Sequence, residues 1–269
     1  MDYTAVLILA CIFIPLERLI PLHPEQRTLR RNWWNDVIYV FVNGFVVRVI
    51  STAVIGTLML AYREFVPLED TAWVRELPIW VQVIAVIVIA DVGYYTAHRT
   101  AHAVPFLWRF HSVHHSIEEM DWLATHRVHP LDQLFTNIVS LLPVFCLGFS
   151  AGAVGIYLLL YQVQALLIHS NTRVRFGPLK WLVASPEYHH WHHANQREAY
   201  DRNFASQLSI LDAIGGTLYL PPNATPEKYG LDEKVPQYYH QQLLYPFTAI
   251  WNSWQRKRLP IGQQHEQDS

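Results

Sequence analysis

Four apolar runs divide the chain, each separated from the next by polar sequence. The first, 4–22 (TAVLILACIFIPLERLIPL), is interrupted by Pro15, Glu17 and Arg18. The second, 37–62, carries a single charge at Arg48, and the third, 77–97 (LPIWVQVIAVIVIADVGYYTA), a single charge at Asp91. The last, 134–168, carries none and breaks near GFSAG (148–152). A helix needs about 20 apolar residues to cross a hydrocarbon core of roughly 30 Å, so the first three runs read as spans. The fourth leaves halves of 14 and 16 residues. At 1.5 Å per residue these reach only about 21–24 Å, which predicts a helical hairpin that enters and leaves on one face. Asp2 stands where a signal peptide would carry its basic segment, so the first run reads as a span. From 170 onward the chain is polar, with turn-rich YLPPNATPEKYG at 219–230 and a basic patch at 256–258. The pattern predicts an all-α integral membrane protein with about four to five membrane-embedded helices, one pair forming a hairpin.

Composition agrees. Of 269 residues 51% are hydrophobic and only 16% charged, against about a quarter charged in soluble domains. Ten Trp and fourteen Tyr suit a chain that meets lipid headgroups. A net charge of −2 gives no reason to expect nucleic acid. Cys11 and Cys146 both lie in apolar runs, which speaks against a disulfide framework or a cysteine-based zinc site. Arg27, Arg30 and Arg31 follow the first run, Arg99, Arg109 and Arg127 the third, and Arg173, Arg175 and Lys180 the hairpin. The positive-inside rule then puts 23–36, 98–130 and 170–269 on the cytoplasmic side, and every dense histidine cluster falls on that face as a helical cap.

Those histidines are the anomaly: twelve of fifteen lie between His98 and His193. HRTAH places His98 and His102 at i and i+4, stacked on one helix face where the third span emerges. Asp91 lies seven residues earlier. An ionisable group inside a span is costly and usually functional, and this one is placed to accept a proton from a ligating imidazole. HSVHH supplies His111, His114 and His115, and HHWHH supplies His189, His192 and His193 at the same spacing. On that spacing His190 points about 100° away from His189. His169 ends the hairpin, and His126 and His129 lie in THRVHP. His126 and His190 divide between ligand support and plain surface, whereas the lone His23, His240 and His265 read as solvated surface. A mononuclear zinc takes three or four ligands, so eight to ten neutral imidazoles on one cavity suit two metals. Imidazole serves iron, zinc and copper alike, so residue type leaves the metal open. Trp108, Trp122, Trp181 and Trp191 read as core or belt packing ahead of pocket aromatics.

HRTAH, HSVHH and HHWHH reproduce the three boxes HxxxH, HxxHH and HxxHH. With DVGYYTAHRTAH before the first box, RVHPLD (127–132), HSNTRVRFGPL (169–179) and DRNFAS (201–206), the chain resembles the fatty acid hydroxylase superfamily in its sterol desaturase-like branch over about 90–215. The resemblance implies a non-haem di-iron enzyme that uses O₂ to hydroxylate or desaturate a lipid entering from the bilayer. It implies iron ligation by His98, His102, His111, His114, His115, His189, His192 and His193. His169 and His129 match positions where many members also carry histidine. The chain then divides into N-terminal transmembrane helices (1–76), a catalytic region (77–215) and a polar cytoplasmic tail (216–269).

Reduction of O₂ needs two electrons from outside. The chain has neither a GxGxxG flavin or nicotinamide motif nor an HPGG haem segment, so a separate donor is expected, a ferredoxin or a cytochrome with its reductase, docking on the polar face. A zinc hydrolase would want HExxH, which is absent. A metal-binding protein or transporter without oxygenase activity is the rival reading, but transport ligands lie midway within spans, and these lie at span ends. The last residues, QHEQDS, carry no retrieval address, and a bacterial inner membrane is expected ahead of an endoplasmic reticulum.

Overall fold

The computed structural model describes residues 3–258. Helix α1 (Tyr3–Leu19) contains Pro15 and leaves Leu7, Ile8 and Ile12 exposed. Helix α2 (Trp33–Ile38) runs through a π turn, Tyr39–Asn43, into α3 (Gly44–Arg63), giving one apolar stretch of 31 residues. The short α4 (Trp73–Glu76) leads to α5 (Ile79–Ala103), and the chain breaks at Val104 before α6 (Pro105–His115). Helices α7 (Pro130–Leu147) and α8 (Ala151–His169) form the hairpin. The cap is completed by α9 (Pro186–His192), α10 (Ile210–Gly215) and α11 (Tyr239–Arg258). The described residues form no strand, only the isolated bridges Pro21–Thr172 and Ala194–Tyr229.

Among the described residues four helices are long and apolar enough to cross a membrane: Trp33–Arg63, Ile79–Ala103, Pro130–Leu147 and Ala151–His169; α1, over the first apolar run that the sequence reads as a span, is not among them. The chain is an all-α integral membrane protein. Both hairpin helices are longer than their apolar runs predicted, 18 and 19 residues, or about 27 and 28 Å at 1.5 Å per residue. Each is therefore long enough to cross a bilayer rather than enter it partway. The difference lies mainly at the start of α7, where Asp132 is buried against the cap and so costs the helix little. Gly148, at φ 76°, closes α7 in the left-handed conformation, and the Ser150 hydroxyl caps α8 by accepting the Ala153 N–H. The carbonyls left open at this turn are taken up from neighbouring segments: Arg63 donates to Cys146 O and Arg75 to Gly148 O.

Helix α5 is the central element. With α7 and α8 it encloses a core of Val86, Ala90, Val144, Val154 and Tyr157. Gly93 sits where α5 meets α7; a Cβ there would stand 2.5 Å from Val139 O and 2.7 Å from Ser140 Cα. Backbones meet this closely in membrane bundles only through small residues.

Candidate metal centre

Three proline-started helices and the ends of two long ones bring the histidines together. Pro105, Pro130 and Pro186 stand at the first positions of α6, α7 and α9, where proline loses no hydrogen bond and presets the helical φ. The break at Val104–Pro105 folds α6 back on the end of α5, so that HSVHH faces HRTAH. Ser185 caps α9 by accepting the Tyr188 N–H at 3.3 Å. Nine imidazoles converge in two groups. His98, His102, His111, His115 and His192 form one, and His114, His169, His189 and His193 the other, with ligand atoms in each within 4.8 Å of one another. All except His102 are buried.

The rings are held from behind. The Nδ1–H of His98 donates to Phe204 O (2.7 Å), that of His111 to the Asp132 carboxylate (2.9 Å) and that of His192 to Arg202 O (2.8 Å). In the second group His114 donates to Arg127 O (3.1 Å) and His169 to Ala165 O (2.8 Å). His102 faces Asp201 at 3.2 Å. A neutral imidazole that donates from Nδ1 has only a lone pair at Nε2. Yet Nε2 of His98 lies 3.0 Å from Nε2 of His111, and Nε2 of His169 lies 3.3 Å from that of His114. Lone pair facing lone pair is repulsive unless a cation lies between. Burial, followed by neighbouring imidazoles, pushes His114, His115, His189 and His193 well below the ordinary histidine value. Burial likewise pushes His192 down to about 3. Protons are thus not the cations the site is built for. Two nitrogens bound to one metal at about 2.0–2.1 Å stand roughly 2.9–3.4 Å apart, which is the spacing found here. Nε2 of His189 likewise lies 2.9 Å from that of His169 and 3.1 Å from that of His193, and the buried Nε2 of His192 has no hydrogen-bond partner, as a ligand atom lacks one before metal binds. The residues present fit two metal ions.

His129 lies outside both groups. Its Nδ1 accepts the Leu131 N–H (3.1 Å), capping α7, and its Nε2 donates to Leu243 O (3.2 Å), so neither nitrogen is spare. Asp91 also does other work than the sequence suggests. Two helical turns below His98, its carboxylate accepts the backbone N–H groups of Ser206 (2.9 Å), Gln207 (3.1 Å) and Leu208 (2.6 Å) and the Ser206 hydroxyl (2.7 Å), and it makes no imidazole contact. It fixes the loop whose Phe204 carbonyl orients His98. Asp212 anchors the same loop, accepting the Phe204 and Ala205 N–H groups and the Tyr188 hydroxyl.

Several contributors escaped sequence reasoning. Asp132 was visible inside RVHPLD but unassigned. Asp36 is buried and accepts from Arg127 Nε (2.6 Å), Arg127 Nη2 (2.8 Å) and Arg30, which in turn donates to Asp121 (2.8 Å); this network holds the Arg127 carbonyl against His114. A charged Asp36 beside the second apolar run was the available signal. His190 is buried, its Nε2 on Ser170 O (3.0 Å) and its Nδ1 on the Tyr229 hydroxyl (2.7 Å). His23, expected on the surface, is half-buried and reaches the same hydroxyl at 3.0 Å, because the segment after α1 packs on the Asn171 loop. His240 is exposed, and His265 lies outside the described residues. His126 is partly buried, with Nε2 unpartnered. Trp122 and Trp191 are buried and Trp181 half-exposed, whereas Trp108 stands over His102 and His115 at ring distances of 5.0 and 5.4 Å. Trp108 and Tyr200 wall a cleft of about 380 Å³ that reaches His102, His115, His192 and His193.

The fatty acid hydroxylase family model matches residues 83–217, which contain all nine clustered histidines. The chain is 30% identical over 240 residues to the ornithine lipid hydroxylase OlsE of Rhizobium tropici, covering 86% of this chain and 71% of that protein. It is 32% identical over 166 residues to the alkylglycerol monooxygenase of Xenopus tropicalis and 30% identical over 166 to that of Homo sapiens. In both cases the match covers 61% of this chain but only 36% of the relative, so the chain spans about a third of those longer proteins. No solved structure matches it significantly.

Proposed function

The chain belongs to the fatty acid hydroxylase family, and on that premise we propose that it is an iron-dependent oxygenase that hydroxylates a membrane lipid. The reading stands chiefly on the nine imidazoles in two groups of five and four, enough to hold two irons with nitrogen alone. Hydroxylation is preferred to desaturation because the relatives are named hydroxylase and monooxygenase. When bound, the two irons supply the capacity to activate O₂ against an unactivated C–H bond.

The chain's own part is positioning. The Nδ1 anchors Phe204 O, Asp132, Arg202 O, Arg127 O and Ala165 O keep the rings from turning. This rigidity makes the site ready before metal arrives. The cleft beside Trp108 and Tyr200 admits the reacting carbon next to His102, His115, His192 and His193, with Asp201, Asp232 and Glu233 at its polar mouth. The apolar helices deliver a lipid laterally, and a separate electron donor docks on the polar cap. By the charge asymmetry of the loops the cap faces the cytoplasm. The similarity to a bacterial protein over most of the chain supports a bacterial inner membrane.

The test is metal content of detergent-purified protein, wild type against His192→Ala, followed by lipid profiling with and without O₂. About two irons per chain, reduced in the variant, with a lipid gaining one oxygen only when O₂ is present, is the expected result. Wild type that takes up no iron after anaerobic ferrous reconstitution would remove the basis of the proposal.

A further inference from the structure

A groove of about 540 Å³ lies between α3, α7 and α8, open along one side. None of the nine clustered histidines lines it. Tyr161 stands in its wall, and Tyr94 packs between Tyr161 and His98, with ring centroids at 6.3 and 5.3 Å. The groove is therefore separate from the cleft at the metal centre.

Its lining changes character along its length. Toward the cap stand His126, Gln133, Arg48 and the hydrogen-bonded pair Asn137–Ser51 (3.1 Å). Toward the hairpin turn stand Ile55, Met59, Leu141 and Phe145. Arg48 is the only charge in the apolar run 37–62, and it has no carboxylate partner among the described residues. An unpaired cation inside a span is expensive unless something anionic or the interface receives it. The depth is suitable for both. Asn43, eleventh residue of the continuous helix Trp33–Arg63, is tied to Val128 O at 3.1 Å, which holds that turn of the helix against the cap. Arg48 lies four residues into α3, about 6 Å, and helical side chains lean toward the N-terminus, so its guanidinium rises to headgroup level. Beside it, His126 presents a ring whose Nε2 is buried without a partner.

A charged and hydrogen-bonding upper end over an apolar lower end, both on membrane-spanning helices, is complementary to one class of molecule. We infer that this groove is a phospholipid-binding site, with the phosphate on Arg48 and an acyl chain laid along Ile55, Met59, Leu141 and Phe145. The arginine fork matches phosphate oxygens, which a lone hydroxyl headgroup cannot use equally. The inference uses none of the metal ligands and stands apart from the proposed oxygenase chemistry.

Native mass spectrometry of the full chain in detergent tests it, with dipalmitoyl phosphatidylglycerol as one probe and dipalmitoylglycerol, which lacks the phosphate, as the other. Wild type should retain one phosphatidylglycerol and bind the phosphate-free lipid at least several-fold more weakly. Arg48→Gln should weaken phosphatidylglycerol by roughly tenfold or more, the effect of losing one charge-assisted contact. Gly56→Leu fills the groove from α3, because a Cβ at Gly56 has nothing within 4 Å, and should lose the lipid without unfolding the helix. Equal binding of the two probes by wild type, or undiminished phosphatidylglycerol binding in both variants, would overturn the inference.

Discussion

Whether a histidine turns a nitrogen into the cluster is decided here by where its other nitrogen goes. His111 gives its Nδ1 proton to Asp132 and turns Nε2 inward; His129, three residues before Asp132, spends both nitrogens on backbone groups and is a helix cap. Sequence spacing cannot separate these two cases, because the acceptors come from other segments: Phe204, Arg202 and Arg127 carbonyls, and one carboxylate from α7. The same limit applies to Asp91, whose depth in a span was legible but whose partners, the N–H groups of 206–208, were not. Asp132→Asn is a sharp probe at this scale. It keeps an acceptor for His111 but removes the negative charge behind the ring, and changes of this kind beside a ligating imidazole cost about 10–100-fold in metal affinity. Iron titration should show that loss in the fivefold histidine group with little change in melting temperature; unchanged affinity would mean that Asp132 only fills space.

At the scale of elements, hydrophobic runs announced the helices, and Gly, Ser and Pro their ends. GFSAG became the hairpin turn as expected, closed by Gly148 and Ser150. The run lengths understated α7 because a buried Asp132 and a capping His129 lengthen it beyond its apolar residues, and polarity was the only boundary signal available. Gly93 illustrates what packing adds. In sequence it is one small residue in DVGYY, whereas in the bundle it is the point where α5 touches the α7 backbone. Gly93→Ala must push these helices apart, an overpacking that costs about 1–3 kcal/mol. It also separates His98 and His102 on α5 from Asp132 on α7. The expected outcome is a lower melting temperature in detergent together with reduced metal content; an unchanged melt would show that the two helices are free to part.

For the whole molecule the cap is a store of neutral imidazole. Burial, the leading cause, depresses His114, His115, His189, His190, His192 and His193, and His126 to about 4. Below the ordinary value of 6.5 the unfolded chain binds protons that the folded cap refuses, so stability falls as pH falls. Metal-free protein should melt at a nearly constant temperature above about pH 7 and at steeply lower temperatures toward pH 5; a flat profile through pH 5 would contradict a buried neutral cluster. The sequence by itself determined the membrane class, most of the helices, the hairpin and eight histidines in three boxes with metal-ligand spacing, because periodicity, hydropathy and local i, i+3, i+4 geometry are properties of short segments. Only the tertiary structure decided the split into groups of five and four, the place of His129 outside both, the backbone partners of Asp91 and the half-burial of His23 beside Tyr229. Each of those depends on which distant backbone carbonyl, carboxylate or hydroxyl stands within 3 Å or so of a ring nitrogen, and that is set by how α5, α6, α7 and α9 pack rather than by any one of them.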